Sequence, residues 1–203
     1  IDGSESLRGC SVKDGFVSIG AMTRYVELQH AGIDRQIPLL PLLLPHIAHD
    51  AIRNRGTVGG SLGLSDPAAE LPALVLALNG TIDLACQATA RRVAADDFFH
   101  GVYETDCRED EVITALHLPC AVDGDRFGFH ELARRHGDYA MAGVIVAAPA
   151  AAPPRAVFFG VADRPLRVPE LENCLADYLS GGDDAGLDRA IACLGDVEMV
   201  SDT

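Results

Sequence analysis

The residues best suited to chemistry are concentrated between Arg53 and Leu74, in the segment RNRGTVGGSLGLSDPAAELPAL. Four glycines fall within eight positions of this segment, and hydroxyl residues lie among them: Gly56, Thr57, Gly59, Gly60, Ser61 and Gly63. Glycine permits a positive φ and lets another group approach the backbone closely. Consecutive N–H groups in such a turn bind anions, and hydroxyls add further donors. The segment therefore predicts a loop that holds a phosphate or a cofactor, although a tight turn that packs a helix on a sheet would have the same composition.

The spacing of this segment differs from that of two well-known phosphate loops. A Walker A loop requires Gly-Lys followed by Ser or Thr, and a dinucleotide fingerprint requires G-x-G-x-x-G; the segment contains neither. Asp66, Glu70 and the prolines that follow the glycines indicate a rigid entry into a helix. Ser61 and Ser65 have acidic neighbours but lack the nucleophile-elbow pattern, so the sequence predicts no catalytic residue.

Metal ligation is not predicted. His46 and His49 are three residues apart but lack a third ligand at a suitable spacing, which favours polar surface residues. The acidic cluster Asp106–Glu111 lacks the spacing of a calcium loop. The six cysteines form no C-x-x-C pair, which excludes a zinc ribbon or an iron–sulfur cluster on these ligands. Scattered cysteines in a chain of this length indicate reduced thiols and a cytoplasmic protein.

The charge and the apolar pattern exclude two broad classes of protein. A net charge of −14 disfavours contact with nucleic acid, because phosphates would be repelled. Charged residues interrupt every apolar stretch before it reaches the roughly 18 to 20 residues that span a bilayer. The chain begins at Ile1 without a leader, from which we expect a truncated start.

The pattern along the chain predicts a mixture of helices and strands that would position this segment. Helices are expected over 23–30 with Thr23 as N-cap, over 39–49 with interruptions at its prolines, over Pro72–Leu78, and in the tail after Leu171; residues 56–63 are expected to form a turn. Strands are predicted at Phe16–Ile19, Thr81–Ala85, Val112–Leu118, Arg126–Arg134, Val144–Ala148 and Ala156–Val161. These elements give an α+β fold with antiparallel sheet in the second half.

The segment resembles the second flavin-binding motif of the FAD-binding subunits of molybdenum hydroxylases, the carbon-monoxide dehydrogenase/xanthine dehydrogenase family. That motif is close to I-R-N-x-G-T-x-G-G-N/S-L-x-x-x-D-P-A-A-E-L-P-A, and residues Ile52 to Pro72 match it at every specified position. Shorter resemblances occur at Ser18–Thr23, Asp97–Gly101, Glu111–Pro119 and Arg134–Ala140.

The resemblance implies a more specific fold. Residues 1–122 would form a partial FAD-binding domain, the second subdomain of a vanillyl-alcohol-oxidase/PCMH-type domain with antiparallel sheet plus helices. Residues 123–203 would form a small α+β C-terminal domain with a three-stranded antiparallel sheet and helices. The family's first flavin motif, A-G-G-x-S-L, and its closing Y-R-x-x-L helix are absent from the chain. We therefore expect truncation at both ends and weakened flavin binding by this chain alone.

The resemblance also implies cofactor-binding residues, with no metal ligand and no catalytic residue among them. Thr57 to Ser61 would contact the FAD pyrophosphate and ribityl chain through N–H groups and hydroxyls, and Glu70 would accept hydrogen bonds from ribityl or ribose hydroxyls. Tyr139 would lie near the isoalloxazine, and Ile47 and Ala48 would line the cofactor. The complete implied set is Ile52, Thr57, Val58, Gly59, Gly60, Ser61, Glu70, Ile113, His130 and Tyr139.

The function implied by the same resemblance is electron transfer in an oxidoreductase. A molybdopterin-binding large subunit would hydroxylate the substrate, and an iron–sulfur small subunit would pass the electrons to FAD on this chain and then to an external acceptor. The assembly would be a dimer of heterotrimers. Two alternatives stay open: an assembly module that no longer holds FAD, and a phosphate-ligand-binding protein unrelated to flavin.

Overall fold

The computed structural model describes residues 5–182 and 184–196 of the chain, which form an α+β fold with two main antiparallel sheets. The first part contains β1 (Cys10–Lys13), β2 (Phe16–Gly20), β3 (Thr81–Ala85), β4 (Ala90–Ala94), β5 (Phe99–Gly101), β6 (Glu104–Thr105) and β7 (Val112–Pro119). Five of these strands form one sheet in the order β1-β2-β7-β3-β4, while β5 and β6 form a separate hairpin. Ile82 and Leu84 alternate with more exposed neighbours and are fully buried, as the period of the sequence predicts.

The segment between β2 and β3 is helical and covers this sheet. It contains α1 (Tyr25–Leu28), α2 (Leu40–Leu43), α3 (Asp50–Arg53), α4 (Val58–Leu64) and α5 (Glu70–Ala77). Every residue of α5 is buried, because the helix is apolar on all sides after Glu70 and packs between α4 and the second sheet. A short 3-10 helix at Glu5–Leu7 precedes β1, another at Ala95–Asp97 follows β4, and a third at Cys193–Asp196 follows the last α-helix.

Three local predictions in this region are wrong. The 56–63 stretch is not a turn, because α4 begins at Val58 and includes three of its glycines. Thr23 does not cap α1; Arg24 is the N-cap residue, and the Thr23 hydroxyl instead accepts the Gly9 N–H at 2.9 Å. Only Leu40–Leu43 of the predicted 39–49 helix is a regular α-helix, and α3 begins separately at Asp50. In each case a tertiary contact or a proline overrides the local pattern.

The second sheet contains β8 (Arg126–Ala133), β9 (Ala140–Ala148), β10 (Arg155–Phe159) and β11 (Leu166–Arg167), in the order β11-β10-β9-β8. The three predicted strands are confirmed, and the two-residue β11 adds a fourth at one edge. Helices α6 (Pro169–Leu179) and α7 (Asp184–Ala192) follow, as the tail pattern predicts. One face of the sheet packs on α5, and the other packs on α6. No helix among residues 5–182 and 184–196 is long and apolar enough to cross a membrane.

The predicted division into residues 1–122 and 123–203 stays a prediction. Ile145 and Phe159 of the second sheet belong to the same buried cluster as Leu74 of α5 and Leu116 of β7. A hydrophobic core that extends across the predicted boundary joins the two parts. Residues 1–4, 183 and 197–203 of these two predicted domains lie outside the described residues.

Candidate functional site

The glycine motif, residues 56–63, lies where α4 meets the end of β2. Thr57 is the N-cap of α4, and its hydroxyl accepts the Gly60 N–H at 3.1 Å. Gly59 lies against Ala21, because a Cβ at position 59 would be only 2.7 Å from the Ala21 Cβ. The N–H groups of Val58 and Gly59 donate to the carbonyls of Thr23 and Ala21 at 3.0 and 2.7 Å. The small residues therefore allow the first turn of α4 to pack directly on the backbone after β2.

This packing changes what the motif offers to a ligand. The N–H groups of Val58, Gly59 and Gly60 all donate within the protein, so they do not form the open anion-binding nest that the sequence suggests. Gly60 is exposed, and Thr57 and Ser61 are half-buried. The open backbone at Gly60 and the hydroxyls on either side of it are therefore the features left for a ligand.

A buried polar group lies behind the motif. Tyr25, the first residue of α1, is 5% exposed, and the Ser61 side chain lies close to its hydroxyl. Burial raises the pKa of Tyr25 above its ordinary value; the neighbouring Ser61 hydroxyl opposes this effect, and the nearby Glu70 carboxyl adds to it. Tyr25 is not among the residues predicted from the sequence, because nothing in its local pattern shows that α1 folds against Gly56, just before α4.

Glu70, the first residue of α5, is 7% exposed. Burial raises its pKa to about 7, its own backbone N–H lowers the pKa, and the carboxyls of Glu131 and Asp66 raise it further. A carboxyl of this kind can accept hydrogen bonds when ionised and can donate one when protonated. Glu70 thus brings a carboxyl with a near-neutral pKa to the polar group that Tyr25 and Ser61 form.

Two of the predicted apolar contacts also lie beside the motif. A Cβ at Gly63 would be 3.5 Å from the Ile113 Cδ1, which places Ile113 of β7 against the outer part of α4. Ile52 of α3 is 55% exposed, and its carbonyl accepts the Gly56 N–H at 2.6 Å. Both residues therefore join the glycine motif to a neighbouring element.

The structure does not bring His130 to the motif. His130 is exposed on β8 and alternates with Phe129 and Glu131, which face the core. Alternation along a strand places His130 on the opposite face of the sheet from those two residues. Tyr139 lies in the loop between β8 and β9 and is 74% exposed. Roles in cofactor binding for His130 and Tyr139 stay predictions.

The segment 45–49, which includes the predicted lining residues Ile47 and Ala48, is fixed by Arg53. The Arg53 guanidinium donates to the carbonyls of Ile47 and Ala48, each at 2.7 Å, and also pairs with Asp50. Ala48 has a φ of 45°, a left-handed conformation that costs a non-glycine residue energy. The two hydrogen bonds from Arg53 stabilise this conformation.

The histidines of this segment lie beside β8 and the loop that follows it. The His46 Nδ1 is 3.7 Å from the Glu131 Oε1, and the His49 ring lies against the backbone of Gly137. Within residues 5–182 and 184–196, no group of three or more His, Cys, Asp or Glu side chains is arranged to hold a metal ion.

Comparison with known proteins shows which family and which sequences this chain is similar to. Residues 1–121 match the family described as "FAD binding domain in molybdopterin dehydrogenase". The nicotine 6-hydroxylase medium subunit of Paenarthrobacter nicotinovorans is 36% identical over 165 residues, which cover 79% of this chain and 58% of that protein. The glyceraldehyde dehydrogenase medium chain of Sulfolobus acidocaldarius is 36% identical over 161 residues, covering 77% of this chain and 57% of the relative.

Solved structures show the same similarity over a longer range. A carbon monoxide dehydrogenase from Hydrogenophaga pseudoflava superposes with a TM-score of 0.91 at 30% identity, over 100% of this chain and 72% of that one. The chain thus spans less than two thirds of the length of the curated relatives cited above, while its described fold is shared along its whole length with this structure.

Proposed function

This chain belongs to the family of the FAD binding domain in molybdopterin dehydrogenase, and from this membership we propose that it is the flavin-binding electron-transfer subunit of a molybdenum hydroxylase. The observation that carries the proposal is the motif from Ile52 to Pro72 together with the buried polar group formed by Tyr25, Ser61 and Glu70. Membership in this family argues against the alternative of a phosphate-binding protein unrelated to flavin.

The residues of the site fit a flavin nucleotide. The surface at Gly60 carries no side chain, and a Cβ there would lie 2.9 Å from the Thr57 hydroxyl oxygen. A polyhydroxyl chain that crosses this surface would meet the hydroxyls of Thr57 and Ser61, and then the Glu70 carboxyl. Ile113 and Ile52 supply apolar surface on the two sides. Such a mixture of a few placed polar groups and apolar walls is typical of a cofactor site.

Within the proposed function, the chain's residues bind and orient the cofactor. The FAD would supply the ability to accept and release electrons, and the protein would supply orientation and electrostatics. Thr57 and Ser61 would donate to oxygen atoms of the nucleotide. Glu70 would accept hydrogen bonds from ribityl or ribose hydroxyls. The high pKa of Glu70 allows it to keep a proton near neutral pH, which limits negative charge beside a pyrophosphate.

The partners and the route of the electrons are also proposed. Electrons would arrive from iron–sulfur clusters in a small subunit, after a molybdopterin-binding large subunit has oxidised the substrate, and would leave to an external acceptor. Several relatives are described as medium subunits or chains, or as a subunit of a complex, which supports an assembly of several different subunits. For this assembly we propose a dimer of heterotrimers. We place the protein in the cytoplasm, which agrees with the free thiols of Cys10, Cys86, Cys107 and Cys120.

The proposal is tested by the flavin content of the full-length subunit, co-expressed with the products of neighbouring genes. We expect the purified complex to carry a flavin spectrum that bleaches when the substrate is added. Gly60→Ala should reduce flavin occupancy by about tenfold, because the new Cβ displaces the Thr57 hydroxyl and occupies the open surface.

The matched control is Gly128→Ala on β8, where a Cβ would be 4.0 Å from the nearest atom, in Val146. This substitution adds the same methyl group far from the motif and should leave flavin occupancy unchanged. A complete complex without flavin would refute the proposal and would favour the assembly module. Equal flavin occupancy in both glycine variants would refute the assignment of the site to Gly60.

A further inference from the structure

One cluster of titratable side chains is not explained by the glycine motif. Glu131 lies on the core-facing side of β8, and its side chain is only 2% exposed. Its Oε1 is 3.7 Å from the His46 Nδ1, while its Oε2 is buried without a hydrogen-bond partner. Burying a carboxylate with incomplete hydrogen bonding is costly. Packing alone therefore does not explain why a carboxyl group is buried at position 131.

His46 is the residue on which these contacts converge. Its ring meets the Phe129 ring edge-on, with centroids 4.9 Å apart, and it meets the His136 ring in the same manner at 5.4 Å. Phe129 and Glu131 are successive core-facing residues of β8, whereas His136 lies in the loop 134–139 that follows the strand. A single imidazole thus contacts both the strand and the loop.

The segment that carries His46 is itself held firmly. Arg53 donates to the carbonyls of Ile47 and Ala48, one and two residues after His46. The loop approaches this segment a second time at Gly137, which has a φ of 84°. A Cβ at position 137 would be 2.7 Å from the His49 Nδ1 and 2.9 Å from the Ala48 carbonyl oxygen. The loop therefore rests on a fixed surface at two points, the His46 ring and the backbone beside His49, and Glu131 approaches the first of them from β8.

We propose that Glu131 is a positioning residue, which acts through its electrostatic contact with His46 to hold the 134–139 loop, and with it Tyr139, against the segment 45–49. The titratable groups that face Glu131 are His46 on that segment, His136 on the loop and Glu70 on α5. The inference concerns the loop and requires no flavin. Its consequence, that the loop is held in place beside a cofactor, rests on the proposed function.

Burial raises the pKa of Glu131, and the two histidines oppose this effect. Substitution of Glu131 by Gln removes the charge but keeps the size of the side chain and its ability to form hydrogen bonds. Glu131→Gln should fold, because it removes the deeply buried charge of the pair, while the partner His46 is 33% exposed and keeps access to water. His46→Gln provides a second, independent way to remove the contact.

The experiment measures hydrogen exchange of the backbone amides in the flavin-free full-length chain, expressed as protection factors. Four proteins are compared: wild type, Glu131→Gln, His46→Gln and the double variant. Each single variant should lower the protection of the Asp138 amide, which donates to the Arg135 carbonyl at 3.1 Å within the loop, about tenfold and leave the amides of β2 and β7 unchanged. The double variant should lose no more than either single variant, because both substitutions remove the same interaction.

The charge is tested by repeating the comparison between about pH 5 and 8. The ratio of wild-type to Glu131→Gln protection in the loop should change with pH, while Glu109→Gln, an exposed glutamate, should match wild type throughout. Unchanged loop protection in Glu131→Gln, multiplied effects in the double variant, or a ratio independent of pH would each overturn the inference. Flavin affinity, measured separately on the complex, tests the proposed function and leaves this result unaffected.

Discussion

Replacing Glu70 by Gln should change how the stability of the protein depends on pH. Glu70 is 7% exposed at the start of α5, and burial raises its pKa to about 7 from an ordinary value of 4.5. The folded protein therefore holds a proton on Glu70 between these two pH values, while the unfolded chain has released it. Because the folded state binds more protons in this interval, the free energy of unfolding decreases as the pH rises.

The size of the effect follows from the difference between the two pKa values. Each pH unit of difference is equivalent to about 1.4 kcal/mol, so Glu70 contributes a loss of about 3 kcal/mol between pH 4.5 and 7. The stabilisation is complete below about pH 4.5 and is lost as the pH rises through about 7. Gln is neutral at every pH and similar in size, so the variant should lack this loss.

The assay is urea unfolding of the flavin-free protein at several pH values between about 5 and 8.5. We expect Glu70→Gln to be within about 1 kcal/mol of wild type at the acidic end and more stable by about 3 kcal/mol at the alkaline end. Glu109→Gln, which alters an exposed carboxyl, should follow wild type throughout. A constant difference between Glu70→Gln and wild type over the whole pH range would show that Glu70 is not buried with a raised pKa, and would refute the reasoning.

Three further substitutions test the packing and charge around the site. Gly59→Ala places a Cβ 2.7 Å from the Ala21 Cβ and should lower the free energy of unfolding, measured by urea titration, by about 1–3 kcal/mol. An unchanged free energy of unfolding would contradict the close contact of α4 with the chain after β2. Leu74→Ala in the buried α5 should cost about 2–5 kcal/mol, measured by thermal unfolding, and a smaller loss would contradict a central position for this helix. Arg91 holds the pKa of Glu111 down to about 2, so the wild type has stability above about pH 4.5 that it loses as the pH falls toward 2. Arg91→Gln should remove this stability. Acid titration followed by circular dichroism checks this, and an identical acid midpoint in the variant and the wild type would contradict it.

Much of the protein was predictable from the order of its residues. The motif from Ile52 to Pro72 identifies the family, because a match at so many specified positions is very improbable by chance. The alternation at Thr81–Ala85 predicts a strand with Ile82 and Leu84 inward, and both are fully buried. Periodicity is a local property, and it is reliable where one face of an element is buried.

Tertiary packing determined the conformation of the glycine-rich stretch. A run with Gly56, Gly59, Gly60 and Gly63 has low helix propensity, so a turn was the natural prediction. The segment forms α4 nevertheless, because the absence of side chains lets the helix lie on the backbone at Ala21 and donate the Gly59 N–H to it. The same packing uses the N–H groups that the sequence assigned to a ligand.

The polar environment of the site likewise could not be predicted from the sequence. Tyr25, His46, Glu70 and Glu131 are far apart in the chain, and no spacing relates them. They come together because α1 packs against Gly56, just before α4, and because the core-facing side of β8 turns toward the segment before α3. The sequence determined which residue types the motif offers, whereas burial, which depends on the whole fold, decided the pKa of Glu70 and the contacts of Glu131.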